Sequence, residues 1–188
     1  MPPIVRKLRI PTGWLAIPAS LFLVAGCTTT EQPASTQPAP AAHHSAMASA
    51  DPDSPFAKVF SGDADVVVLT FYDLYCVACQ QSADNFSALH GRIQETFPDM
   101  ATQVTGVGIG DTAFELSVFQ RRYKLPYPSI PDPEKTFEEP FLIKGTPTVL
   151  VFTRKDTDCI EIYRHEGRFR SSDMEKLLET IREAVSAQ

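Results

Sequence analysis

Two hydrophobic rhythms alternate along most of the chain. Within the mostly apolar run from Val66 to Tyr72, Val66-Val67-Val68-Leu69 predicts a buried strand. Beyond Cys79 the apolar positions Ala83, Phe86, Leu89, Ile93 and Phe97 step by three and four, which predicts one face of a helix ending near Pro98. Gln103 to Ile109 predicts a second strand. Thr112 followed by Glu115 is a capping box, and it predicts a helix to about Tyr123. The stretch Leu125 to Pro133 contains four prolines and is expected to be irregular. Glu134 to Leu142 has room for one helical turn. Val149 to Phe152 predicts a strand, Arg154 to Asp158 a polar turn, and Cys159 to His165 a partly alternating strand that closes a hairpin. Ser172 and Glu175 form a second capping box, opening a last helix with Met174, Leu177, Leu178, Ile181 and Val185 on its apolar face. Upstream, Ser54-Pro55 predicts an N-cap and first helical residue for a short helix over Phe56 to Phe60. This order predicts an α/β domain over residues 56–188, a central mixed β-sheet with helices on both faces.

The first 55 residues read differently. Arg6, Lys7 and Arg9 precede a mostly apolar segment from Trp14 to Ala25, the pattern of an export signal over residues 1–26. Residues 28 to about 55 are rich in Thr, Pro, Ala, Ser and Gln and have no periodicity, so residues 27–55 are expected to form a disordered tether. His43 and His44 within it read as solvated linker residues. Leu23-Val24-Ala25-Gly26-Cys27 resembles the lipobox of bacterial lipoproteins. That resemblance implies cleavage before Cys27, acylation of its sulfur, and a protein exported and lipid-anchored to a bacterial membrane, on the periplasmic side in a Gram-negative cell. Thr28, where many inner-membrane lipoproteins carry Asp, points toward the outer membrane in such a cell. The residues by themselves also admit an ordinary signal peptide or an uncleaved anchor.

Charge narrows the partners. The formal net charge is −6, and removal of Arg6, Lys7 and Arg9 would make the remainder more negative. An acidic chain does not suit nucleic acid or an anionic membrane surface, since both demand a positive patch.

Candidate chemistry sits where the first strand gives way to its helix. Cys76 and Cys79 are separated by two residues at that junction. A helix start presents unpaired N–H groups and the positive end of the macrodipole, and both stabilise a thiolate. The thiolate is the form that attacks disulfides, and a second thiol so near can resolve the mixed disulfide. A structural disulfide and half of a zinc site are the competing readings of the same spacing. No second pair with zinc-ligand spacing occurs, and a disulfide closing so small a loop would stabilise little.

This stretch, with Gly145-Thr146-Pro147-Thr148 running into the Val149 strand, resembles the thioredoxin superfamily, and its TlpA-like branch in particular. The resemblance covers about Phe56 to Gln188. It implies a thioredoxin-like fold and a thiol–disulfide oxidoreductase with Cys76 as attacking and Cys79 as resolving residue, forming a redox disulfide. It implies a cis-proline at Pro147 facing the dithiol, with Tyr75, Thr146 and Pro147 around the docking site. Partners would be a protein dithiol or disulfide and an electron-donor protein, with no metal or organic cofactor. Two positions depart from thioredoxin: Tyr75 stands where Trp precedes the first cysteine, and Thr70 replaces a buried carboxylate. Asp73, Asp84 and Glu115 are then the candidate carboxylates, provided the fold brings them near. Peroxiredoxins carry Thr or Ser, and a Pro, where this chain has Asp73 and Leu69, so peroxidase chemistry is not expected. Copper-handling members use a longer cysteine spacing and a histidine just before the later strand, where this chain has two residues between its cysteines and Thr146-Pro147, so copper transfer stands only as the alternative. A thioredoxin fold used only for binding is the non-enzymatic one. Val77 and Ala78 between the cysteines carry no charge, which predicts a stable disulfide and a reductase. Cys159 is left over and reads as a partly buried, unreactive thiol facing away from Ile160 and Ile162.

Overall fold

The computed structural model describes residues 43–44, 53–60, 62–155 and 158–187. The expected signal segment 1–26, the lipidation site Cys27 and most of the tether lie outside the described residues. Among the described residues the elements follow in the order β1 (His43–His44), α1 (Pro55–Val59), β2 (Val66–Tyr72), α2 (Val77–Thr96), β3 (Thr102–Ile109), α3 (Ala113–Tyr123), β4 (Ser129–Asp132), β5 (Thr148–Lys155), β6 (Asp158–Glu166) and α4 (Ser171–Ser186). The described strands form one mixed sheet in the order β1-β6-β5-β2-β3-β4. β2, β3 and β4 run parallel; β5 lies antiparallel to β2, and β6 lies antiparallel to β5. The fold is thioredoxin-like, and β2 lies inside the sheet with all seven residues buried.

Alternate residues of β2 feed two cores, as the twofold period of a strand requires. Val66, Val68 and Tyr72 meet α2, α3 and α4 through Phe86, Leu89, Ile93, Phe119, Leu177 and Ile181. Val67, Leu69 and Phe71 face the other way, against α1 and the turns of residues 133–143. That second core is aromatic: the Phe141 ring lies 4.7 Å from Phe56, 5.6 Å from Phe71 and 5.8 Å from Phe137, centroid to centroid. Among the described residues helices thus cover both faces, α2, α3 and α4 on one and the short α1 on the other. Among the described residues no helix is long and apolar enough to cross a membrane.

The predicted caps hold at two helix starts. The Ser54 hydroxyl accepts the Ala57 amide at 3.2 Å, and Thr112 and Glu115 close their box in both directions. The last helix differs. It begins at Ser171, and the capping carboxylate is Asp173, which accepts the Arg170 amide at 2.9 Å. The expected cap residue Ser172 lies inside the helix, and Glu175 pairs with Arg92 at 2.8 Å instead.

The proline-rich stretch is also more ordered than expected, because Ser129–Asp132 pairs in parallel with β3 as an edge strand. An edge strand tolerates Pro131 since one of its sides has no ladder to complete. The segment from Glu134 to Leu142 forms successive hydrogen-bonded turns, one of them of α-helical spacing, with the Phe141 amide donating to the Phe137 carbonyl at 3.3 Å. They are organised by the buried Asp132, whose carboxylate accepts the Thr136 amide and hydroxyl and the Phe137 amide at 2.8, 2.9 and 3.1 Å. Cys159 is buried in the aromatic core, and Ile162 packs against the opposite core. The β5–β6 register skips Ile162, a bulge that re-aims the strand after it.

Candidate active site

Cys76 and Cys79 stand at the carboxyl edge of β2. Four residues, Asp73 to Cys76, connect the strand to α2, and Cys76 is itself the helix N-cap. Its Sγ accepts the Cys79 amide at 3.1 Å, so one otherwise unpaired helix N–H points at the sulfur. The same thiol donates to the Thr146 carbonyl oxygen at 3.3 Å. Loss of the proton would keep the first interaction and make the second repulsive. Cys76 is partly exposed and Cys79 is buried, and both are free thiols. Burial pushes the Cys79 thiol well above its ordinary range, reinforced by its bond to Cys76 and opposed by the Thr146 side chain and the Asp73 backbone. One thiol is therefore accessible at a helix start, and the other stays protonated behind it.

The peptide between Thr146 and Pro147 is cis. Pro147 is buried at the start of β5, its carbonyl accepting the Gly167 amide at 2.8 Å. The Thr146 carbonyl is what reaches Cys76. Tyr75 projects outward, 71% exposed, and its hydroxyl donates to Glu115 at 2.9 Å on α3. Val77 and Phe114 are exposed too, at 65% and 72%.

The candidate carboxylates separate. Asp84 lies exposed on α2. Asp73 accepts the Tyr75 amide at 2.6 Å, and Glu115 reaches Tyr75. Thr70 is fully buried and donates its hydroxyl to Tyr127 at 3.3 Å. The buried carboxylate missing from β2 has a counterpart at the end of β3. Asp111 is 1% exposed, and both its oxygens lie 3.2 Å from the Leu74 amide, two residues before Cys76. Burial pushes its carboxyl up to about 6; the Leu74 bond opposes the shift, and Asp73 and Glu115 add to it. Sequence reading missed Asp111 because it precedes a capping box and looks like part of the helix entry. The available signal was positional: a carboxylate at the carboxyl edge of a parallel strand beside β2, the edge where α/β sheets place their sites. Gln80 was missed as well; its side-chain amide donates to the Leu74 carbonyl at 2.9 Å.

Residues 51–157 match the AhpC/TSA family. The chain belongs to that family. No curated protein matches it. Among solved structures, one assigned as thiol:disulfide interchange protein DsbE from Chlorobium tepidum shares 24% identity at a TM-score of 0.53, covering 64% of this chain and 80% of that one. StoA from Bacillus subtilis shares 16% at 0.50, covering 64% and 84%. A thioredoxin-like protein solved in its oxidised form shares 12% at 0.53, covering 64% and 80%. These likenesses concern the fold, which is thioredoxin-like in each. Family membership, together with the adjacent thiols at the head of α2, supports thiol–disulfide oxidoreductase activity.

Proposed function

We propose that the protein reduces disulfides in protein partners outside the cytoplasm. Cys76 attacks a partner disulfide and forms a mixed disulfide, releasing the partner's other sulfur as a thiol. Cys79, after losing its proton, attacks Cys76, releases the partner's second thiol and leaves the Cys76–Cys79 disulfide. An electron-donor protein then returns the pair to the dithiol. The observation that carries this reading is the asymmetry of the pair: an accessible Cys76 facing a helix amide, and a buried Cys79 whose thiol is held protonated. Tyr75, Thr146 and Pro147, with the exposed Val77 beside the nucleophile, supply the docking rim. Reduction rather than oxidation is favoured because Val77 and Ala78 give the Cys76 thiolate no charged side chain to lean on. Peroxide reduction has no place here, since Asp73 and Leu69 occupy the positions it would use.

Export and acylation at Cys27 belong to the same proposal and rest on the Leu23–Cys27 pattern. Membrane fractionation tests them: the Cys27→Ser variant should leave the membrane fraction, and a wild-type chain found soluble and unacylated overturns the anchor. The exchange is tested by trapping. Cys79→Ser should accumulate mixed disulfides, and Cys76→Ser should form none. Full activity in both variants would place the chemistry elsewhere. Equilibration with glutathione reads the direction. A potential nearer about −270 mV than about −120 mV is expected, and one above about −180 mV assigns an oxidase instead.

A further inference from the structure

We propose that Asp111 is a positioning residue for the dithiol: its charged carboxylate holds the Leu74 amide, and losing that charge loosens the segment that carries Cys76. The inference rests on the reading of Cys76 and Cys79 as the exchanging pair.

Leu74 is gripped from two sides. Its N–H goes to both Asp111 oxygens, and its carbonyl accepts from Gln80. The next two amides are satisfied inside the loop, Tyr75 by the Asp73 carboxylate and Cys76 by the Asp73 carbonyl at 3.3 Å. The Asp111 bond therefore ties the loop to the β3–α3 junction from within the protein. The Tyr75–Glu115 bond makes a second tie at the surface. Room for the inner tie comes from Gly108. A Cβ there would stand 3.0 Å from the Asp111 Cβ and Oδ2, and 2.8 Å from Leu116 Cδ1.

The surroundings do not favour the charge. Asp73 faces Asp111 from the loop and Glu115 from α3, both negative. Tyr72 of β2 and Tyr75 of the loop are the neighbouring phenols. From the turn after β4, Lys135 passes Gly110 and pairs with Glu138 at 3.6 Å, and Asp132 faces Thr136 and Phe137. A buried carboxylate beside two others costs stability when ionised. Such a group near a nucleophile is more readily explained by function than by packing. An ionised carboxylate accepts an amide about twice as strongly as a neutral group. As pH falls through about 6 the grip on Leu74 weakens, and with it the alignment of Cys76 on the Cys79 amide and the Thr146 carbonyl.

Two measurements on the reduced protein test this. The first is the rate of exchange with oxidised glutathione across the neutral and mildly acid range. A lone thiolate gives a tenfold fall per pH unit, and the wild type should show an extra loss of about threefold below pH 6 from the weakened grip. Asp111→Asn keeps an acceptor of the same shape without the charge, so it should lack the extra step. Glu115→Gln, which removes a neighbouring exposed charge, should keep it. The second is the Leu74 amide resonance by NMR, which should shift through pH 6 in the wild type and stay fixed in Asp111→Asn. The proposal is overturned if Asp111→Asn retains the extra step, or if the wild-type Leu74 amide does not titrate. Failure of the dithiol reading looks different: Cys76→Ser would then exchange like the wild type at every pH, whatever the Leu74 amide does.

Discussion

Asp111 and Asp132 occupy equivalent places and do opposite things. Each ends or closely follows a strand of the parallel half of the sheet, and they are 1% and 3% exposed. Asp132 accepts three hydrogen bonds and organises the turns that cover the aromatic core. Among the described residues, Asp111 accepts from the Leu74 amide only. Burial is the same; what differs is how many donors compensate it. A well-compensated carboxylate is part of the scaffold, whereas an under-compensated one stores a cost that a site can use.

The comparison can be broken most forcefully at Asp132. Asp132→Ala leaves two amides and a hydroxyl without their acceptor, and a loss of about 3 kcal/mol in urea unfolding is expected. A loss below about 0.5 kcal/mol would show that water replaces the carboxylate freely.

Asp111→Asn should move stability the other way. The folded carboxyl titrates at about 6 against an ordinary 3.8. Below the lower value both states are protonated and the ionisation of this group adds no cost. As pH rises through the window the unfolded chain releases its proton first, so the folded state loses stability and does not recover it at neutral pH. The Asn variant should therefore be more stable than wild type at pH 7 by on the order of 2 kcal/mol, with the advantage gone below pH 4. Urea midpoints at the two pH values decide it; an Asn variant less stable at pH 7 would reverse the comparison.

Gly108→Ala sharpens the comparison by crowding Asp111 without touching its charge. The new methyl must displace Leu116 or the carboxylate, at a cost of about 1–2 kcal/mol. A variant as stable as wild type would mean that the β3–α3 junction yields more easily than its close contacts indicate. The smallest effect belongs to the outer tie. Tyr75→Phe removes an exposed bond to Glu115 and should change stability by less than about 0.5 kcal/mol. A larger loss in thermal unfolding would make the outer tie as important as the inner one.

Elements with a strong period were legible in the chain. The buried strand read at Val66 to Leu69 begins where β2 begins, though β2 continues to Tyr72, and the steps from Ala83 to Ile93 are the inward face of α2. The Thr112–Glu115 box was legible because both partners lie within one turn. The Ser172–Glu175 box had the same look and was displaced, since Asp173 was equally able to cap and Arg92 drew Glu175 away. β4 was hidden by its prolines. Its existence depends on the register with Gly106 to Ile109, more than twenty residues upstream.

The local order of residues by itself determined the thiol pair, the strand–helix junction that holds it, and the Thr-Pro segment before β5. Each is encoded within a few consecutive positions, where backbone geometry and hydrophobic period act directly. Tertiary structure decided which carboxylate meets the loop. It turned Thr70 toward Tyr127, left Asp84 in solvent, and carried Asp111 across from β3 to Leu74, 37 residues away. No short-range pattern encodes such a pairing. It follows from the parallel alignment of β2 with β3, which brings their carboxyl ends to one edge of the sheet, and from the absence of a side chain at Gly108.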